Sequence, residues 1–130
     1  MSSSLGLTEN ELDKLLGFDK KDKVEVTETD SDYAPLHDVL IEALLQASDG
    51  KGKERHANGK PFLRQPIMEN GRQFGPGGPG MQVAKKCGEA MGMIARGEYA
   101  KAKTEVLGAI NYAAAMYLLI CEIEAQAKGE

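Results

Sequence analysis

Between Gly50 and Gly80 the stretch GKGKERHANGKPFLRQPIMENGRQFGPGGPG gathers six Lys or Arg, one His and eight Gly. Lys51, Lys53, Arg55, His56, Lys60, Arg64 and Arg72 supply cationic donors, and glycine lets backbone N–H groups come close to an anion. The stretch runs through Gly75-Pro76-Gly77-Gly78-Pro79-Gly80 into the expected start of a helix at Met81, whose positive dipole end favours phosphate or carboxylate. This combination predicts a cradle for a small phosphate-bearing ligand, a nucleotide above all. Its members are Lys53, Arg55, His56, Lys60, Phe62, Arg64, Arg72, Phe74 and Gly78. The spacing is neither that of a P-loop nor that of a Rossmann fingerprint, and a surface loop with solvated charges would share the composition.

Phe62 and Phe74 are two of the three phenylalanines. An aromatic beside cations can stack on a base, and it can equally plug a core. At least one of the two is expected to be a plug, and the loop is read as anchored by both. Elsewhere the reactive side chains are few. His37 sits at a helix edge, and the two histidines and two cysteines share no zinc-type spacing, so neither a metal nor a cofactor is expected. Cys87 and Cys121 lie in apolar helical patterns and read as reduced core residues.

Charge is unevenly placed. Residues 1 to 49 carry four Lys against twelve Asp or Glu, residues 50 to 80 six Lys or Arg against two Glu, and residues 81 to 130 six of each. With basic charge confined to one loop and a sequence pI near 5.3, duplex nucleic acid is not the expected partner. The chain opens without an apolar leader segment, and its longest apolar run, Val106 to Cys121, is shorter than the roughly 20 residues of a membrane span. A cytoplasmic protein without a membrane partner is expected.

Four helices must position these residues. Thr8 and Glu11 form a capping box before Leu12, Leu15 and Leu16, and a charged linker follows, in which Val24 to Thr27 could pair as a brief strand. Tyr33 to Ala47, Met81 to Arg96 and Glu98 to Ala127 carry apolar residues at spacings of three and four. The expected fold is all-α. It is a small helical bundle built on a C-terminal antiparallel hairpin, with a long Gly/Pro-rich basic loop at 50–80 and an acidic N-terminal arm. Residues 1–32 form the arm and 33–130 the helical domain. The last helix places Tyr99, Ala102, Val106, Ala109, Ile110, Ala113, Tyr117, Ile120 and Ile123 on one broad face and is apolar nearly all round between Val106 and Cys121. So few helices cannot enclose it, so a homo-oligomer is expected. Gly88 and Gly92 predict close approach of a neighbouring helix or a ligand.

The pattern GKGKERHANGKPF, QPI, QVAKKCGEAM and EVLGAINYAAAMYLL resembles small uncharacterised bacteriophage and prophage proteins, over about residues 50 to 121. The last two helices are also similar in rhythm to all-α nucleoside triphosphate pyrophosphohydrolases of the MazG type, which hold magnesium with EExxE on one helix and ExxD on the next. Carried over, Glu89 matches the last Glu of the first motif, whereas Lys85 and Lys86 occupy its first two positions. In the second motif Val106 and Ala109 fall at the ligand positions, with Glu105 just outside. The resemblance therefore implies a site without its magnesium, in which Lys85 and Lys86, with Asn111 on the facing helix, could hold phosphates directly.

Three function classes follow. The first is a non-catalytic phage-type accessory protein that binds a nucleotide without turnover, with the sequestering of a host-defence signal as its role. The second is an interaction or inhibitor protein docking on a host or virion protein through the N-terminal arm, with Leu12, Leu15, Leu16 and Phe18 as its apolar face. The third is a divergent magnesium-dependent hydrolase using Glu89 and Glu105, with His56 or Asn111.

Overall fold

The computed structural model describes residues 31–49 and 59–129. The described residues form an all-α helical bundle without strands: α1 (Ala34–Asp49), α2 (Pro66–Phe74), α3 (Gly77–Ala95) and α4 (Tyr99–Ala127). Short 3₁₀ turns at Ser31–Tyr33 and Phe62–Arg64 precede α1 and α2. The capping box at Thr8, the alternating Val24 to Thr27 and the arm's apolar residues lie outside the described residues.

The hairpin of α3 and α4 is the spine of the fold. Gly97, at φ 73°, turns the chain, and its N–H donates to the Ile94 carbonyl while that of Glu98 donates to Met93 at 2.8 Å. A side chain at Gly97 would sit in the left-handed region that L residues adopt at a cost. The helices then run antiparallel, with Lys86 beside Glu105 and Gly80 beside Met116. Helix α1 crosses the same α4 antiparallel through two polar contacts. Asn111 Nδ2 donates to the Ala43 carbonyl at 2.9 Å, and Gln46 Nε2 donates to the Thr104 carbonyl at 3.0 Å.

The 50–80 loop expected from its glycines and prolines is, from Phe62 onward, mostly helical. Pro66 takes the first position of α2, where its missing N–H and fixed φ fit a helix start. Met68 and Gly71 then bury against α4, and Gly75, at φ 99°, ends the helix with its N–H on the Gly71 carbonyl. Two residues later α3 begins at Gly77, four residues before the expected Met81. Pro79 lies in its first turn, which accommodates a residue without an N–H.

The core is small and alanine-rich. Met68, Ala115, Leu118 and Leu119 form its largest cluster, flanked by Phe62, Leu63 and Ile67, while Ala43, Ala90, Ala102 and Ala109 line the helix crossings. Of the broad α4 face expected to be buried, only Ala102 and Ala109 are, and Tyr99, Val106, Tyr117, Ile120 and Ile123 remain exposed. Leu118 and Leu119, from the other side of the helix, take their place. The glycines expected to admit a neighbour also differ. Nothing stands within 4 Å of a side chain built at Gly88, and one at Gly92 meets only Arg96 of the same hairpin turn, whereas Gly71 meets Leu119, Gly80 meets Met116 and Gly108 meets Lys86. Cys87, read as a core residue, is exposed. Cys121 is half-buried, and burial, helped by the charge of Glu124, pushes its thiol above the usual range. The apolar run read as too short for a membrane span lies inside the 29-residue α4, which by length and composition is apolar enough to cross one.

Candidate functional site

Part of the predicted cradle falls among the described residues. Lys53, Arg55 and His56 lie outside them. Lys60 and Arg64 are exposed, and the main chain at Lys60 is pinned because Gln65 Nε2 donates to its carbonyl at 2.9 Å. Phe62 packs against the Met68 cluster and is the plug, whereas Phe74 is 76% exposed and anchors nothing among them.

Arg72 is held by two carboxylates. Its Nε and Nη2 donate to the two oxygens of Glu122 at 2.8 and 3.1 Å, and Nη1 donates to Glu69 at 2.9 Å. The hydrogen bond donated to Glu122, with the charges of Glu122 and Glu69, raises the guanidinium above its ordinary pKa against the opposing effect of burial. A bidentate pair of this geometry fixes planar groups in register, so Arg72 fastens α2 to the end of α4. An incoming phosphate would have to displace both carboxylates.

The start of α3 has used part of its donors. Gly78 N–H donates to the Gly75 carbonyl at 3.1 Å, Gly80 N–H to Pro76 at 3.3 Å, and Pro79 has none. Gly78 is exposed, with open space around it, but a helix start attracts anions through unsatisfied N–H groups, and the turn from Gly75 has taken up that of Gly78.

Lys85 and Lys86 diverge by about 100° on α3, and only one faces the hairpin. Lys85 is solvated, with Glu89 at 3.9 Å one turn on. Lys86 lies along Gly108 with its Nζ 3.2 Å from Glu105 and 5.8 Å from the centroid of the Tyr112 ring. The cation standing where the pyrophosphohydrolase motif would place a metal-binding carboxylate is thus neutralised by the carboxylate that falls just outside that motif. Glu89 and Glu105 each answer a lysine, and among the described residues no group of three or more His, Cys, Asp or Glu is placed to hold a metal ion. Asn111 spends its amide on Ala43, which makes it a helix-to-helix fastener.

The Lys86–Glu105 pair should be measurable. With side chains 25% and 21% exposed, it lies between the surface and buried regimes. In a double-mutant cycle of Lys86→Met and Glu105→Gln followed by urea unfolding, the expected coupling is about 1 kcal/mol. A coupling indistinguishable from zero would show that the two charges do not meet in solution.

Sequence reasoning missed the surface. Leu36, Val39, Leu40, Ile41, Leu44 and Leu45 of α1 are 40–56% exposed, and only Ala43 of that helix is buried. A signal was present, because α1 is apolar on more of its circumference than one neighbour can cover. No protein-family model matches the chain, and neither a curated protein nor a solved structure matches it.

Proposed function

We propose that the chain is a protein-interaction module, whose α1 docks an apolar helical face on a partner protein. The observation that carries this reading is the exposure of α1. Leu36, Leu40 and Leu44 fall within about 80° of one another at 100° per residue and are 56%, 48% and 54% exposed. Their spacing is the anchor pattern by which an amphipathic helix enters a groove. Asp38, Glu42 and Asp49 give α1 an acidic side, it carries no Lys or Arg, and its one His, His37, lies 3.1 Å from Asp38, so the partner's groove should be rimmed by cations. The acidic residues of the N-terminal arm extend the same charge preference, and a host or virion protein met in the cytoplasm fits the phage-type resemblance.

A second reading, binding of a phosphate-bearing ligand near 50–64 without turnover, is favoured by one observation. Lys60 and Arg64 are exposed on a main chain that Gln65 and the Phe62 plug hold in place.

One experiment separates the two. A tagged chain and its Leu36→Ser/Leu40→Ser/Leu44→Ser variant are compared in pull-downs from the cells that express it, with thermal shifts against mono- and dinucleotides run in parallel. The interaction reading expects a partner that the variant no longer recovers, while its stability stays within about 1 kcal/mol because these side chains are exposed. Equal recovery by both proteins overturns it. A nucleotide-dependent rise in melting temperature, lost in Lys60→Ala/Arg64→Ala, would favour the second reading.

A further inference from the structure

The other described helices leave most of the apolar surface of α4 open. Only 28% of its most apolar 18 residues are buried. At about 100° per residue, Asn111 turns toward α1, while Glu105, Gly108 and Met116 turn toward α3. Val106, Ile110, Ala113, Tyr117 and Ile120 lie on the remaining arc and follow one another at alternating steps of four and three. Val106, Tyr117 and Ile120 are 43%, 50% and 51% exposed. Alternating fours and threes average 3.5 residues, the period with which one helix presents a seam to another helix.

Opposite charges bound this seam. Lys103 continues it one position toward the N-terminus and Glu124 one position toward the C-terminus, and both are exposed. The contact between Glu124 and Lys128 is 3.7 Å long, between side chains 63% and 61% exposed, and competes weakly for the carboxylate.

We propose that this seam is the interface between two copies of the chain, their α4 helices packing antiparallel about a two-fold axis level with residue 115. In that register Tyr117 of one copy meets Ala113 of the other, and Ile110 meets Ile120. The layers at the axis therefore pair a large side chain with a small one, and at the ends of the seam Val106 falls opposite Glu124 of the other copy. Lys103 comes within one helical turn of Glu124 of the second copy, twice over by symmetry. Parallel pairing would instead set lysine beside lysine and glutamate beside glutamate. A lipid surface makes no use of a 3.5-residue period closed by opposite charges. The interface goes beyond the α1 reading and leaves α1 open.

Sedimentation equilibrium of the full chain tests this. The expected mass is twice 14.0 kDa. Lys103→Glu should raise the dimer dissociation constant about ten-fold, and Lys103→Glu/Glu124→Lys should bring it back. Ala113→Glu, a carboxylate at an exposed position near the axis, should give monomer with an unchanged circular dichroism spectrum. If that variant fails to fold, the charge-reversal pair decides alone. A 14.0 kDa monomer at every concentration overturns the proposal. So does an assembly unmoved by charge reversal, or flotation of the unassociated chain with phosphatidylcholine vesicles.

Discussion

Leu119→Ala is expected to cost about 3 kcal/mol of folding stability. Leu119 is 2% exposed and stands where α2 lies on α4, enclosed by Met68, Ala115 and Leu118, with Phe62, Leu63 and Ile67 around them. Truncation to Ala loses the transfer free energy of the removed atoms and leaves a cavity, whose cost depends on how far its walls can close. Here they close poorly. Gly71 brings the α2 backbone directly onto the Leu119 side chain, and helices do not collapse inward by a methyl group's width without disturbing their other contacts. Because the remaining buried apolar residues are alanines, no other cluster in the described bundle compensates. Urea unfolding reads the loss, with Met91→Ala as reference, since Met91 is 65% exposed and its truncation should change stability by about 0.5 kcal/mol at most. If Leu119→Ala costs no more than the Met91 reference, α2 is not packed on α4 in solution.

The contrast between these two residues shows what could be read from the sequence and what could not. The existence of three helices could be read. Alternation of threes and fours locates α1, α3 and α4, and Gly97 marks the hairpin turn because a left-handed residue had to follow the last apolar step. Burial could not be read so well on α4, which is apolar on nearly every side. Periodicity then no longer selects an inward face, and the β-branched stripe through Val106 and Ile120 is no more core-like than Leu118 and Leu119. What decides is the arrival of α2, a nine-residue helix hidden among residues that usually punctuate loops. Pro66 and Gly75 are boundary residues of that helix and not marks of an irregular chain.

The predicted site was legible as chemistry but not as geometry. Six cations in one stretch say that anions will be attracted, without saying which anions. For Arg72 and Lys86 the answer lies 50 and 19 residues away in the sequence, at Glu122 and Glu105. Pairings at that separation have no local signature, and they make Arg72 and Lys86 fasteners between helices. The same reasoning applies to Asn111, a polar interruption in an apolar run that answers a carbonyl on a helix 68 residues earlier.

The second large effect concerns two glycines that helix propensity alone treats as equal. Gly71→Ala is expected to destabilise by about 2 kcal/mol, and Gly88→Ala to stabilise by about 1 kcal/mol. Both lie inside helices, where replacing Gly by Ala gains about 1 kcal/mol through restriction of the unfolded chain and better helical geometry. At Gly88 nothing opposes that gain, because no atom lies within 4 Å of the added methyl. At Gly71 the methyl would collide with Cδ1 of Leu119 and come to 3.2 Å from Cγ and Cδ2 of the same side chain. An exposed leucine could turn aside. Leu119 is buried among Met68, Ala115 and Leu118, so its rotation displaces them in turn, and overpacking of this kind typically costs more than propensity returns. Thermal melts of the two variants beside the parent chain should move in opposite directions. If Gly71→Ala melted as high as Gly88→Ala, α2 would have to lie further from α4 than the packing of Gly71 on Leu119 requires.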